Sequence, residues 1–449
     1  MNDNKQFYRK LRELALPIAF QSLMLALVAA SDAFMLGRVD QEEMAAVSLA
    51  AQIQFVQNMF LFAITTAGTI LGAQYWGKGD KDTLSDLFDL MLMYAGILSL
   101  LFFISCELFP ELLMRAFAHD QGMIEIGSAY LRIAGWSYLM TGVSQCYLSV
   151  MKVTDHVRPC AFISSFAVVL NILLNALFIF GLFGLPKMHS RGAALATTVA
   201  RAAELMLCLF ISRGKSHVKP SLKRLFKTDR TLSCDFRKQC IPLLGGQLFW
   251  GVGFTSYTAI MGHLGVDAAA ANSVAAVVRD MVCCACRGVS SAAGIIVGNE
   301  LGAGNLDLGK AYGIKLKNIS WVIGLISMAV VMASTPLIVR FVILTEEARG
   351  YLTGMMLIMA VYMIARSVNA VTINGVMNGG GDTVFDMYSV AVCMWGIAIP
   401  LTLLAAFVFH WPVLIVYACT CLDETGKIPW VMHRFNKFKW VRNLTKEAP

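Results

Sequence analysis

Residues 25–37 read LALVAASDAFMLG, a run of thirteen residues in which Asp32 is the one ionised group. The flanks of this run are equally apolar, so the solvent it meets decides the fold. The whole 449-residue chain is 57% hydrophobic and 15% charged, with a mean hydropathy of +0.64. Soluble domains carry about 25% charged residues. The apolar excess is spread over the full length, which predicts a polytopic membrane protein. Crossing a bilayer core about 30 Å thick takes about 20 mostly apolar residues per helix. Windows of that length lie near 14–37, 47–72, 88–110, 127–151, 159–184, 191–212, 240–263, 272–298, 317–341, 351–378, 384–409 and 411–432. Backbone groups inside lipid must be satisfied within the segment, so these windows predict twelve helices and an all-α fold.

The charges between the windows set the orientation. Lys5, Arg9, Lys10 and Arg12 precede the first window, and Arg213 to Lys238 form a basic loop between the sixth and seventh. Lys427 to Lys446 make a basic tail. Cations collect on the cytoplasmic side of membrane proteins. With an even number of spans, both termini are expected in the cytoplasm. The net charge of +8 is then a topology signal, not one for nucleic acid. The N-terminus leads straight into a helix of spanning length, and no cleavable signal is expected. The 12 Cys lie mostly in or beside the windows, where they predict small packing residues and no disulfide framework.

The chain repeats itself. LGAQYWGKGD at 71–80 and IVGNELGAGN at 296–305 align without a gap, Gly77 with Gly302 and Gly79 with Gly304. The same offset of 225 pairs Pro17 with Pro242, Ser31 with Ser256, Gly37 with Gly262 and Ser48 with Ser273. Six spans separate the copies, so they share one direction in the membrane. The expected architecture is two pseudo-twofold-related six-helix lobes around a central cavity, alternating access by rocking. The lobes are 1–212 and 240–449, with 213–239 as the cytoplasmic linker. The Gly-x-Gly pairs are expected to make tight turns, since no full phosphate loop accompanies them.

An ionisable side chain at bilayer depth costs about 2.5–3.5 kcal/mol on insertion scales and therefore tends to be functional. Asp32 stands about 8 Å below the outer end of span one, at 1.5 Å per residue. Asn171 and Asn175 on span five share one helical face, and Thr197 on span six reaches a similar depth. A carboxylate with amide and hydroxyl oxygens suits a proton or a small hard cation such as sodium. Away from water a carboxylate also holds a proton more readily. Gln21, Gln52, Gln57, Tyr138 and Gln145, with Arg279, Asp280 and Arg366 in the second half, are candidates for a polar substrate cavity. Arg201 and Glu204, three apart, are expected to pair. Arg279 and Asp280 are adjacent, so they are expected on different sides of their helix. Arg287 and Arg366 either hold an anionic group or pair with Asp280 across helices. Spans seven and ten contain no acid, so the second lobe has no obvious counterpart of Asp32. The sequence has no metal-ligand spacing, no nucleophile with a matching base and no nucleotide fingerprint. A transporter is expected, not an enzyme, with no cofactor or nucleotide. Its energy is expected from an ion gradient or from the substrate's own gradient.

The chain resembles the multidrug and toxic compound extrusion (MATE) family along nearly its whole length. ALPIAFQSL, SDAFMLGRV, AAVSLAAQI, GAQYWGKGD, NILLNALFIFG, RGAALATTVAR, GNELGAGN and VMNGGGDTVF carry the likeness. The resemblance implies an antiporter in the bacterial inner membrane, monomeric, that expels amphiphilic and often cationic compounds in exchange for H+ or Na+. It gives Asp32 the role of coupling acid and Pro17 that of the bend in the first helix. Asn171 and Thr197 match further ion-site positions, and Asn175 stands where some members have Asp. That departure, with the acids missing from spans seven and ten, implies single-acid coupling through the first lobe. The alternative is a flippase of lipids or lipid-linked saccharides with the same architecture, which the second-lobe arginines would serve.

Overall fold

A computed structural model describes residues 2–37, 41–184, 186–214, 217–221, 229–342 and 344–445. Among these residues there are helices and turns and no strand. The first half holds α1 (Asn2–Gly37), α2 (Gln41–Lys78), α3 (Lys81–Leu108), the short α4 (Pro110–Arg115), α5 (Gln121–Val153), α6 (Val157–Phe180) and α7 (His189–Ser212). The second holds α8 (Arg230–His263), α9 (Val266–Gly302), α10 (Leu306–Phe341) and α11 (Glu346–Asn369), the last continuing as a wide π-helical stretch, Ala370–Met377. Next come α12 (Thr383–Val390) and α13 (Ile399–Leu403), each followed by a π-helical stretch. The chain ends in three short pieces, α14 (Val413–Thr420), α15 (Leu422–Thr425) and α16 (Ile428–Asn436).

Counting interrupted helices as one stretch, and leaving out α4, this is six helical stretches per half, the number expected of a multi-pass membrane fold. Nine of them are long and apolar enough to cross a membrane by length and composition. The other three have physical reasons to fall short. α5 is rich in Ser, Gly, Thr and Tyr, α8 carries Gly, Gln, Ser, Thr and Tyr through its charge-free part, and the last stretch is broken around Asp423, Glu424 and Lys427. α8 begins at Arg230, inside the segment expected to be linker, because a helix keeps its backbone bonded past the apolar window.

The chain forms two compact units. The first comprises Met1–Phe20, Ala73–Gly79 and Lys238–Pro449, and the second Gln21–Gly72 and Asp80–Arg237. α1 is thus shared, and its division falls three residues after Pro17. Proline lacks the N–H that would bond the carbonyl four residues back, which weakens the helix there. Up to that point α1 is held closely. A Cβ on Gly288 of α9 would collide with the backbone of Ala15 and Ala19.

The first unit displays the duplication in its geometry. A Cβ on Gly77 would strike the backbone carbonyl of Asn299, and one on Gly302 would strike that of Gln74. Gln74 and Asn299 are themselves 225 apart, so this contact between α2 and α9 is reciprocal. Gly79 and Gly304 both take left-handed backbone, φ +82° and +83°, which glycine adopts without a side-chain penalty. Gly302→Ala is therefore expected to destabilise the protein by about 1–3 kcal/mol, or more where backbone must move, as overpacking does. A thermal unfolding curve in detergent with an unchanged midpoint would refute that.

The motif VMNGGGD also has a structural task. Asp382 is buried, and Arg434 of α16 grips it with two hydrogen bonds of 2.9 Å. Trp440 is fully buried against Gly313 and Gly380, where any side chain would collide. Leu444 N–H donates to Gln74 Oε1 at 2.6 Å, and Gln74 Nε2 donates to the Gly379 carbonyl at 3.0 Å. The tail after α16 is thereby laid onto the glycine-rich turns.

Candidate functional site

In the second unit, two helices bring three expected residues together. Asn175 Nδ2 donates to Asn171 Oδ1 at 3.2 Å, one helical turn apart on α6. Asn171 Nδ2 in turn donates to Thr197 Oγ1 of α7, also at 3.2 Å. Both asparagines are buried, Asn175 completely. Amides placed away from water need such partners.

Asp32 lies on α1, five residues before its end at Gly37, and its side chain is outside the described ones. Its level along the bundle follows from the helices. Gln21 Nε2 of α1 donates to Ser164 Oγ of α6 at 2.6 Å. α1 and α6 are the first and fifth helical stretches and so run the same way through a membrane. From that bond, Asp32 is eleven residues further along α1, and Asn175 eleven residues further along α6. Equal rise places the two backbone positions at one depth.

The other first-half candidates divide. Gln21 also meets Cys160, whose Sγ is 4.0 Å from Gln21 Oε1. Gln57 is fully buried and donates to Ser99 Oγ at 3.2 Å and to the carbonyl of Tyr138 at 3.0 Å. Tyr138 belongs to the apolar core of the unit. Gln57 and Tyr138 thus engage each other. Gln52 is exposed and Gln145 half-buried. Arg201 and Glu204 form the expected pair at 2.6 Å.

In the first unit, all three second-half candidates line one pocket, part of it open to solvent. Its walls include Trp250, Phe254, Tyr257, Tyr362 and Tyr417, with Arg279, Asp280, Arg366 and Asp423 among them. The expectation that Arg279 and Asp280 point apart is corrected here. Both line the pocket, and Arg279 Nε lies 3.4 Å from Asp280 Oδ1. The long arginine stem folds back further than the angle between adjacent residues separates them. The guanidinium also lies over the Phe254 ring, 4.7 Å from its centroid, a favourable cation–π placement. Arg287 reaches Asp280 at 3.8 Å along the same helix.

Arg366 does not pair with Asp280. Its Nη1 donates to Glu424 Oε1 at 2.5 Å. Lys427 Nζ lies 3.5 Å from the same oxygen, and Asn369 Nδ2 donates to Glu424 Oε2 at 2.7 Å. The second half therefore does hold buried acids, Asp423 and Glu424, 5% and 3% exposed. They sit on α15 of the last helical stretch, not on α8 or α11, where their absence was noted. Asp382 is a further one, and the half-buried Asp386 on α12 accepts from Asn378 Nδ2 at 2.7 Å.

The family model described as MatE matches residues 17–177 and again 242–404. The two matches begin at Pro17 and Pro242, the register of the repeat. The uncharacterized transporter YisQ of Bacillus subtilis is 24% identical over 441 residues, 96% of this chain and 94% of that protein. A probable multidrug resistance protein NorM of Bradyrhizobium diazoefficiens is 25% identical over 416 residues, 90% of this chain and 87% of that protein. Among solved structures, the Vibrio cholerae MATE transporter VcmN in its bent form is similar in fold, with a TM-score of 0.86. It is 17% identical, over 99% of this chain and 100% of that chain.

Proposed function

The chain belongs to the MatE family of multidrug and toxic compound extrusion transporters, and on that premise we propose that it is a secondary active antiporter exporting amphiphilic, cationic compounds in exchange for H+ or Na+. The observation that carries this reading is the hydrogen-bonded chain of Thr197 and the buried Asn171 and Asn175 at the level of Asp32. Amide and hydroxyl oxygens at the depth of a carboxylate position support this reading, since such groups suit a proton or a sodium ion.

The mechanism follows from charge. Ionised Asp32 draws a cation into its lobe. A proton or sodium ion arriving from outside neutralises it, releases the substrate outward and allows return to the inward-facing state. Pro17 is the hinge. The division of α1 just beyond it supports this. The protein acts as a monomer in the bacterial inner membrane, with both termini in the cytoplasm. It needs no cofactor or nucleotide.

The flippase alternative requires cations free to take a phosphate. Arg279 and Arg287 both lie within 4 Å of Asp280, and Arg366 is bonded to Glu424, which favours the antiporter. Proteoliposomes should take up tetraphenylphosphonium under an imposed gradient and leave the scrambling of a fluorescent phospholipid at the rate of empty liposomes. Accelerated scrambling without cation transport would favour the flippase.

A further inference from the structure

The pocket of the first unit holds a carboxylate to which neither the family match nor the proposed mechanism gives a task. Asp423 is 95% withdrawn from solvent and lines the pocket, and its Oδ1 has no hydrogen-bond partner among the described residues. The hydroxyl of Tyr257, on the opposite element α8, is likewise buried, unpartnered and part of the same wall. Desolvated polar atoms are nearly always satisfied, so two such atoms on one pocket mark a place for something that enters it.

The position has a meaning in the repeat. Tyr257 stands 225 residues after Asp32, inside the stretch where the two copies align without a gap. The pocket therefore occupies, in the second copy, the place of the acid in the first. A hydroxyl has replaced the carboxylate on α8, and the last helical stretch supplies an acid instead.

The surrounding charges are already committed. Arg366 and Lys427 both pair with Glu424, and Arg279 and Arg287 with Asp280. No ion-pair partner of Asp423 lies among the described residues. The other titratable groups around it are Tyr362 on α11 and Tyr417 on α14, with the thiols of Cys283, Cys393 and Cys421. With Asp423 ionised, the four charges of Asp423, Glu424, Arg366 and Lys427 cancel. A proton on Asp423 leaves them with one net positive charge, which opposes a second cation in the same low-dielectric space. The aromatic wall already accepts one organic cation, the guanidinium of Arg279 over Phe254.

We propose that Asp423 is a second proton acceptor of this transporter, and that in this pocket a proton on Asp423 and a substrate cation exclude one another. The proton comes from solution and returns to it on the other side, with no bond of the substrate broken. The proposal rests on the exporter reading for the identity of the cation, so its test reads the proton directly and without a gradient.

Infrared difference spectra of the full-length protein in nanodiscs, acidified from neutral pH, should show protonated-carboxyl components, one of them from Asp423. Asp423→Asn is expected to remove that one, and Asp32→Asn to leave it. Asp423→Glu should return it at a shifted frequency, which also covers an Asn variant that fails to purify as a single species. In the same samples, acidification should weaken tetraphenylphosphonium binding by up to about tenfold per pH unit for one competing proton, and less so in Asp423→Asn. A set of components wholly unchanged by Asp423→Asn overturns the proposal. Absence of tetraphenylphosphonium binding, with the component present, counts against the exporter reading and leaves the proton site standing.

Discussion

Asp32→Asn is expected to abolish gradient-driven accumulation of ethidium in proteoliposomes while the protein still folds and inserts. The substitution removes a charge whose placement in a bilayer costs about 2.5–3.5 kcal/mol, so stability should hold or rise. It removes little volume, and the asparagines and threonine at its level keep their own bonds to one another. What is lost is the difference between a charged and a neutral state. Without that difference, an ion gradient has no differential interaction through which to shift the equilibrium between inward- and outward-facing forms. A variant that still concentrates ethidium against its gradient would remove Asp32 from the mechanism.

Glu424→Ala is expected to be the most damaging single change to stability. One buried carboxylate receives Arg366, Lys427 and Asn369. Removing one member of a buried pair costs about 3–5 kcal/mol, because the partner is left charged and desolvated. Here two cations lose their partner at once. Arginine cannot escape by giving up its proton. The thermal unfolding midpoint in detergent should fall clearly in Glu424→Ala and less in Glu424→Gln, which keeps an acceptor. Replacing Arg366 and Glu424 together with Met should recover part of the loss, since apolar substitutes for a buried pair are often neutral or stabilising. A midpoint unchanged in Glu424→Ala would show that the cluster bears no stability.

These two acids differ in how far sequence reveals them. Asp32 stands alone in an apolar run, and Asn171 and Asn175 share a helical face, so the meeting of the asparagines with Thr197 is legible from periodicity and helix order. The repeat is legible because its register is ungapped, and the reciprocal contact of Gly77 and Gly302 gives it a physical basis. Asp423 and Glu424 are hidden by their neighbours. LDETGK resembles the polar end of a span, and only the interruption of the last helix at Cys421 and Gly426 keeps these side chains inside the protein. The partner of Arg366 lies 58 residues away, beyond what local spacing can reach. The meeting of Arg279 and Asp280 depends on a side-chain bend that a helical projection does not contain. The twelve helical stretches follow from hydropathy, while the breaks and π-helical stretches of the last two depend on packing.

The most direct test of coupling imposes a pH gradient and a sodium gradient in turn on proteoliposomes of the unaltered protein and measures steady-state uptake of tetraphenylphosphonium. The membrane potential is clamped in each case. An antiporter built on an intramembrane carboxylate should concentrate the cation under at least one of the two and lose that concentration when an ionophore collapses the gradient. Uptake that merely equilibrates under both gradients, unaffected by ionophore, would contradict it.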